Sequence, residues 1–358
     1  MVNLDSLDEI KKIDTGNVLG SVQELPSQVQ DAFTEASKVE VPDYYADVKN
    51  IIMCGMGGSG LGARVIQSVY GESLAYPLFR VNDYNLPGYT DIHSLVMCSS
   101  YSGETEETIE NAKQAIERHA KWMAIGTGNT LIDMAKSEEV PYYLINPKFN
   151  PSNQPRMAIG YSVIGQLVLA SKAGLFALNE EDIQKIIGSM NEIIKKEAVG
   201  VVNNQSKDLA RKLLGKTILF VSAEHLIGAT HVVNNQQNEN AKNLTFDFAI
   251  PEINHHLLEG LKHPQANSEN VFILFFESDI YPERIKQRFE ITKEVVSENN
   301  IEFSTFKAVS GGKLSEAFEI IQFGAYVNFY LSMLYEQNPA PLPWVDFFKN
   351  RLGQPLGK

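Results

Sequence analysis

The chain has 358 residues, two cysteines and a formal charge of −13, with 44% hydrophobic and 21% charged residues. That length exceeds one ordinary core and predicts two domains, and the composition is that of a globular chain rather than a disordered or fibrous one. The acidic balance excludes nucleic acid and anionic membrane surfaces as partners, although a local cluster of donors can still hold a small anion.

Residues 1–46 are polar and have helical spacing, ending near Val41, Pro42 and Asp43. The start, MVNLDSLDEIKKID, is acidic and lacks the apolar centre of a secretion signal. No run approaches the roughly 18 apolar residues of a membrane span. A cytoplasmic protein is expected. From Asn50 to Cys54 a short apolar run leads into Gly55, Met56, Gly57, Gly58, Ser59 and Gly60, and LGARVIQSVYG then has helical spacing. Further strands are predicted at 77–83, 94–100, 121–127 and 141–147, with a helix at 105–120. Short apolar strands alternating with amphipathic helices imply an α/β fold, its parallel sheet covered on both faces.

A helical connector follows, including IGYSVIGQLVLASKAGLF and DIQKIIGSMNEIIKK. The alternation restarts with a strand at 216–223, a helix through Glu239, a strand at 271–278, a helix at 283–300 and a strand at 301–309. A long helix from Leu314 to Tyr335 and a short one from Trp344 to Leu352 close the chain. The pattern divides into a helical segment at 1–46, a first domain at 47–175, a connector at 176–212, a second domain at 213–312 and terminal helices at 313–358. Cys54 and Cys98 sit in strand-like apolar runs and read as reduced core residues rather than a disulfide.

Chemistry is concentrated in two loops. The glycine loop at 55–60 follows a strand and opens a helix, so its backbone N–H groups, that of Gly58 among them, can approach an anion. Alone it fits a dinucleotide-binding turn equally, and Asp83 ends the next strand where a ribose-binding acid would stand. The second loop, Ser99, Ser100, Tyr101, Ser102, Gly103, Glu104 and Thr105, shifts the balance. Its hydroxyls beside a helix start suit phosphate oxygens, and a dinucleotide fold has no need of them. The competing interpretation is a polar turn in which Ser102 or Thr105 caps the helix. Taken together, the loops favour a phosphate held by Gly58, Ser59, Ser100, Ser102 and Thr105.

In the same order, GMGGSG, SSYSGETEET, PSNQPRMAIG, NENAKN, PEINHH and a terminal proline-to-lysine segment resemble the motifs of the bifunctional phosphoglucose/phosphomannose isomerase family. The resemblance spans nearly the whole chain. It implies two sugar-isomerase (SIS) domains, each a flavodoxin-like three-layer αβα sandwich, and a homodimer with active sites at domain and subunit boundaries. It also implies interconversion of glucose 6-phosphate and fructose 6-phosphate, with mannose 6-phosphate as a second substrate. The reaction passes through an enediolate and calls on no cofactor and no metal.

Glu239 lies in a polar patch from Gln236 to Lys242. A lone helical glutamate is ordinarily a solvated surface group, and the resemblance implies the catalytic base. His255 matches the family's ring-opening histidine, while its neighbour His256 competes on physical grounds. His255, His256 and His263 match no standard zinc spacing. Arg156 reads as a surface arginine on a proline-rich loop, and the resemblance implies a stabiliser of the enediolate. Lys349, near a helix C-terminus, suits dipole complementation, and the resemblance implies a contact to the sugar. Two positions depart from the family pattern. Leu342 stands where members active on mannose 6-phosphate carry threonine, and Glu104 replaces an asparagine beside the proposed phosphate. Rival functions are another SIS isomerase for amino-sugar or pentose phosphates, a sugar-phosphate sensor, and a dinucleotide oxidoreductase. A sensor would ordinarily carry a basic helix-turn-helix, and neither terminus has one.

Overall fold

The structure, a computed structural model, describes residues 2–353. Strands β1 (Asn50–Cys54), β2 (Leu78–Val81), β3 (Ser94–Ser99), β4 (Lys121–Gly126) and β5 (Tyr142–Leu144) form one sheet in the order β2-β1-β3-β4-β5. Strands β6 (Thr217–Ala223), β7 (Thr245–Ile250), β8 (Val271–Ser278) and β9 (Glu302–Ala308) form another, ordered β7-β6-β8-β9. Every pairing is parallel. Both sheets start in the middle, step to one edge, then cross back past the first strand. The order therefore reverses between β1 and β3, and between β6 and β8. At such a switch point the connections leaving adjacent strands part to opposite faces and open a crevice at the strand C-termini.

The helices are α1 (Leu7–Ile13), α2 (Val18–Gln23), α3 (Leu25–Ala36), α4 (Leu61–Tyr70), α5 (Glu106–Glu117), α6 (Asn129–Ser137) and α7 (Ile159–Lys172). There follow α8 (Glu180–Glu197), α9 (Gln205–Leu213), α10 (Ile227–Asn240), the single turns α11 (Leu257–Gly260) and α12 (Asn267–Asn270), α13 (Glu283–Glu298), α14 (Lys313–Leu334) and α15 (Pro343–Leu352). The chain folds as two compact units. Among the described residues, one comprises 24–183 with 341–353, the other 2–23 with 184–340. Residues 1–46 are thus shared between the units, and α8 runs across the boundary.

In the unit holding β1–β5, alternation along the strands sorts side chains to two faces. Ile52, Cys54, Val96, Cys98, Trp122 and Ala124 pack with Ala112, Ala115, Leu131, Ile132 and Ala135 of α5 and α6. The other face meets α7, which is buried on every side from Ile159 to Ala170 between the sheet and helices α3 and α4. Cys54 and Cys98 lie opposite each other in register as free thiols, and burial pushes the Cys54 thiol well up.

In the other unit α14 is buried from Leu314 to Leu334 and packs against α2, α9, α10 and β9. No helix among the described residues is long and apolar enough to cross a membrane. The buried Lys207 ammonium reaches Asp5 at 2.6 Å and the Val199 carbonyl at 2.7 Å, which fixes the segment before α1 onto this unit. Strands β1 and β8 fall where the sequence predicts them, and β7 is an addition. An edge strand is covered along one side only, so its burial is broken, and Thr245–Ile250 lacks the apolar run that marks a central parallel strand.

Candidate functional site

Parallel pairing of β1 with β3 sets the connections after these strands side by side at the switch point. After β1 the chain passes through a single helical turn, Gly57–Gly60, into α4. Gly57 takes a φ of +50°, which glycine adopts without strain, and a Cβ on Gly60 would stand 2.6 Å from the Gly55 carbonyl oxygen, so position 60 requires glycine. Ser59 is buried. Its hydroxyl accepts the Tyr101 N–H at 2.9 Å, and its carbonyl accepts from the Gln166 amide at 2.8 Å. As an acceptor from Tyr101, the Ser59 hydroxyl joins the glycine loop to the serine loop and keeps its own proton to donate.

In the serine loop, Ser100 Oγ lies 2.8 Å from Thr105 Oγ1 and 3.5 Å from Ser102 Oγ. It also accepts the N–H groups of Gly103 at 3.1 Å and Thr105 at 3.4 Å. Three hydroxyls converge, graded from buried Ser100 through half-buried Thr105 to exposed Ser102. Thr105 occupies the N-cap position of α5, yet its side chain makes no capping bond. Ser102 Oγ accepts a backbone N–H from Glu104, ahead of the helix. The polar-turn interpretation required one of these hydroxyls to cap α5, and neither does. The start of α5 keeps its positive dipole end without a side-chain cap.

Arg156 is no surface arginine: it is 2% exposed, in the single turn Pro155–Met157. Its Nη1 donates to Gln154 Oε1 at 2.9 Å. Asn150 anchors this loop, its Nδ2 donating to the Gln154 carbonyl at 3.0 Å and to the Tyr101 hydroxyl at 3.3 Å. Tyr101 stands between Ser100 and Ser102, so Asn150 ties the arginine loop to the serine loop. Burial pushes the Tyr101 phenol up, keeping it a neutral hydrogen-bonding group. A Cβ on Gly58 would meet the Pro155 carbonyl oxygen at 3.3 Å and Arg156 Cα at 3.4 Å, so the glycine and arginine loops nearly touch. A buried guanidinium is costly unless its donors are used, and Gln154 takes one of them.

The Glu104 side chain turns to the start of α6. Its Oε1 accepts the Thr130 N–H at 3.0 Å and the Thr130 hydroxyl at 2.8 Å, capping the first turn of α6. Asp83, the alternative ribose ligand, accepts from the N–H of its neighbour Tyr84 at 2.6 Å.

In the other unit, Glu239 occupies the last turn of α10. The polar patch around it is not a solvated face: Gln236, Gln237 and Asn240 are fully buried, and Glu239 is half-buried. His255 ends a single turn, Glu252–His255, that follows β7. Asn254 holds that turn through Thr292 Oγ1 at 2.8 Å and Arg288 Nη1 at 3.1 Å. His255 and His256 are both exposed, so burial does not separate them. Lys349 lies on α15, which buries none of its residues, and Leu342 is the N-cap residue of that helix.

At the second switch point the structure shows a cluster that sequence reasoning missed. Glu316 Oε2 accepts the Ser278 hydroxyl at 2.6 Å and lies 2.8 Å from His225 Nε2, and Oε1 accepts the Gly311 N–H at 3.2 Å. Glu319 accepts the N–H groups of Val309 and Ser310. Carboxylates of α14 therefore occupy donors at the ends of β6, β8 and β9, where the topology of the first sheet has its glycine and serine loops. The signal was present as two acids one turn apart at the start of an otherwise apolar helix. Among the described residues, no group of three or more His, Cys, Asp and Glu side chains is placed to hold a metal ion.

A hypothetical protein from Thermus thermophilus superposes with a TM-score of 0.72 at 15% identity, over 96% of this chain and 92% of that one. Tagatose-6-phosphate ketose/aldose isomerase from Escherichia coli gives 0.65 at 13% identity over 93% of each chain. A model of the bacterial phospho-glucose isomerase C-terminal SIS domain matches residues 202–352. The fold is that of the SIS phosphosugar isomerases. In sequence, the bifunctional phosphoglucose/phosphomannose isomerase of Caldicellulosiruptor bescii is 30% identical over 342 residues, covering 93% of this chain and 98% of that protein. The chain belongs to the bifunctional phosphoglucose/phosphomannose isomerase family.

Proposed function

We propose that the protein is an aldose–ketose isomerase that interconverts glucose 6-phosphate and fructose 6-phosphate, and acts on mannose 6-phosphate, through an enediolate. The observation that carries this reading is the convergence of the Ser100, Ser102 and Thr105 hydroxyls at an uncapped helix start, with the glycine loop and the buried Arg156 loop beside them. Membership of the isomerase family supports the reaction type.

The phosphate is received by the Gly58 N–H and the hydroxyls of Ser59, Ser100, Ser102 and Thr105. His255 exchanges a proton with the ring oxygen to open the sugar. Glu239 takes the proton from C2 and returns it to C1, the task of a positioned carboxylate. Arg156 stabilises the enediolate with a charge that is never lost, and Lys349 contacts the sugar hydroxyls. A proton shuttle with cationic stabilisation supplies every step, so the chemistry calls for no metal or cofactor.

The SIS domains run over 47–175 and 213–312, and the protein works in the cytoplasm as a homodimer. Trp344, Phe347 and Phe348 of α15 stand in solvent in the single chain, the first 79% exposed, and a second copy is a natural cover for such a surface. A coupled assay with glucose, mannose and glucosamine 6-phosphates tests the substrate class. Turnover of glucose 6-phosphate is expected, with mannose 6-phosphate slower because Leu342 offers no hydroxyl. Binding without turnover would point to a sensor, and turnover confined to the amino sugar to another SIS isomerase.

A further inference from the structure

The last turn of α10 is gripped from two sides by groups that have no role in the chemistry above. On one side the buried Asn240 side chain donates through Nδ2 to Asn328 Oδ1 at 3.0 Å, and Asn328 donates to the Gly324 carbonyl at 2.8 Å. Helices α10 and α14 approach closely because position 324 is glycine, where a Cβ would fall 2.3 Å from Val233 Cγ2. On the other side stands Lys242, two residues past the end of α10, with a φ of +52°. Glycine or asparagine ordinarily takes this left-handed position. The lysine side chain explains the choice. Its Nζ donates to the Pro339 carbonyl at 2.7 Å and the Asn240 carbonyl at 3.3 Å, while Gln337 Nε2 donates to the Ala241 carbonyl. Carbonyls that a helix end leaves orphaned thus receive side-chain donors. Asn238 pins the same turn to β7 through Thr245 Oγ1 at 2.7 Å.

Between Asn238 and Asn240, on this doubly held turn, sits half-buried Glu239. We propose that Asn240 and Lys242, acting through Asn328 and the 337–339 segment, are positioning residues that fix the direction of the Glu239 carboxylate. The inference rests on Glu239 being the base. Helix ends fray, and a base on a fraying turn would spread over geometries of which few align with the substrate proton. A misplacement on the order of 1 Å costs about 10²-fold in rate. The clamp commits four polar side chains, those of Asn238, Asn240, Asn328 and Gln337, and a left-handed lysine to the one turn where such spread would matter. Bonds that served stability alone would leave turnover of the folded enzyme unchanged.

Lys242→Met removes the ammonium from a residue whose stem is exposed, Lys242→Arg keeps the donors, and Asn328→Leu releases the other side. Each variant is compared with Glu239→Gln for kcat, KM, unfolding midpoint and solvent-deuterium exchange into fructose 6-phosphate. Lys242→Met is expected to lower kcat and exchange together by about tenfold or more with KM within about twofold, and Lys242→Arg to restore most of both. Asn328→Leu should move the same way at temperatures well below its lowered midpoint. If Lys242→Met loses stability but keeps kcat and exchange within about twofold while Glu239→Gln is inactive, the positioning role is overturned and the base assignment stands. Wild-type exchange in Glu239→Gln would remove the base assignment, and the clamp's role with it.

Discussion

Ser100 and Ser102 are neighbours in one loop with different duties, and separate alanine substitutions should divide binding from stability. Ser102 is exposed and accepts one N–H, from Glu104 at 3.2 Å, so its removal leaves the fold intact. A hydrogen bond to a charged phosphate contributes about 1.5–3 kcal/mol. At about 1.4 kcal/mol per factor of ten, Ser102→Ala should raise KM roughly 10- to 150-fold with little change in kcat. Ser100 is buried and accepts from Gly103 and Thr105 while meeting the Thr105 hydroxyl. Gly103 N–H also reaches the Ser100 carbonyl at 3.0 Å, so the acceptor lost to it is partly replaced. Ser100→Ala should therefore cost about 1–2 kcal/mol of stability besides its effect on KM. A coupled spectrophotometric assay reads KM, and thermal unfolding with and without inorganic phosphate reads stability. A Ser102→Ala enzyme with KM within about twofold of wild type would show that the phosphate does not sit at these hydroxyls.

Arg156→Lys keeps a charge but not the planar fork that bonds Gln154, and kcat should fall about 10²-fold, a loss of the size seen when one transition-state donor is removed. An unchanged kcat would take Arg156 out of the reaction. Dialysis against a chelator, with no nucleotide present, should leave turnover intact, and activity lost then restored by zinc would return the histidines to metal duty. The Cys54 thiol is raised by burial first and by its Cys98 neighbour second. It therefore stays protonated at pH 8, and both thiols should resist Ellman's reagent until the protein unfolds. Because the folded value lies above the unfolded one, this group's contribution to stability is complete below the unfolded thiol value of about 8.5 and is lost only as pH rises beyond it. Rapid labelling of the native protein would contradict the buried register pair.

The sheets were legible because a parallel strand buried on both faces writes an unbroken apolar run, as SLVMCS and VFILFFES do. The edge strand β7 carries Asp247 between two phenylalanines and wrote no such run. The two loops were legible for another reason: their glycines and hydroxyls are consecutive in sequence, so the chemistry is local. Misreadings came where polarity was equated with solvent. Arg156 and the Gln236–Asn240 patch are polar and buried, because partners distant in sequence satisfy them, as Asn328 does for Asn240 across 88 residues. The same non-locality hid which compact unit the residues before Glu24 join. Gln322 donates to the Val22 carbonyl 300 residues away, and such a bond leaves no trace in local pattern. His255 and His256 carry no physical distinction in the sequence, and both remain exposed in the fold.

The proposed reaction turns on proton transfer by Glu239 through an enediolate. Its most direct test is nuclear magnetic resonance of fructose 6-phosphate incubated in deuterium oxide with wild-type enzyme, Glu239→Gln and His255→Ala. Wild type should form glucose 6-phosphate and place deuterium at C1 of the ketose and C2 of the aldose. Glu239→Gln should lose both processes by about 10²–10⁴-fold while still binding substrate. His255→Ala should retain more exchange than interconversion, because the small open-chain fraction bypasses ring opening. Full exchange in Glu239→Gln would contradict the claim, and equal loss of exchange in both variants would show that the two roles are wrongly divided.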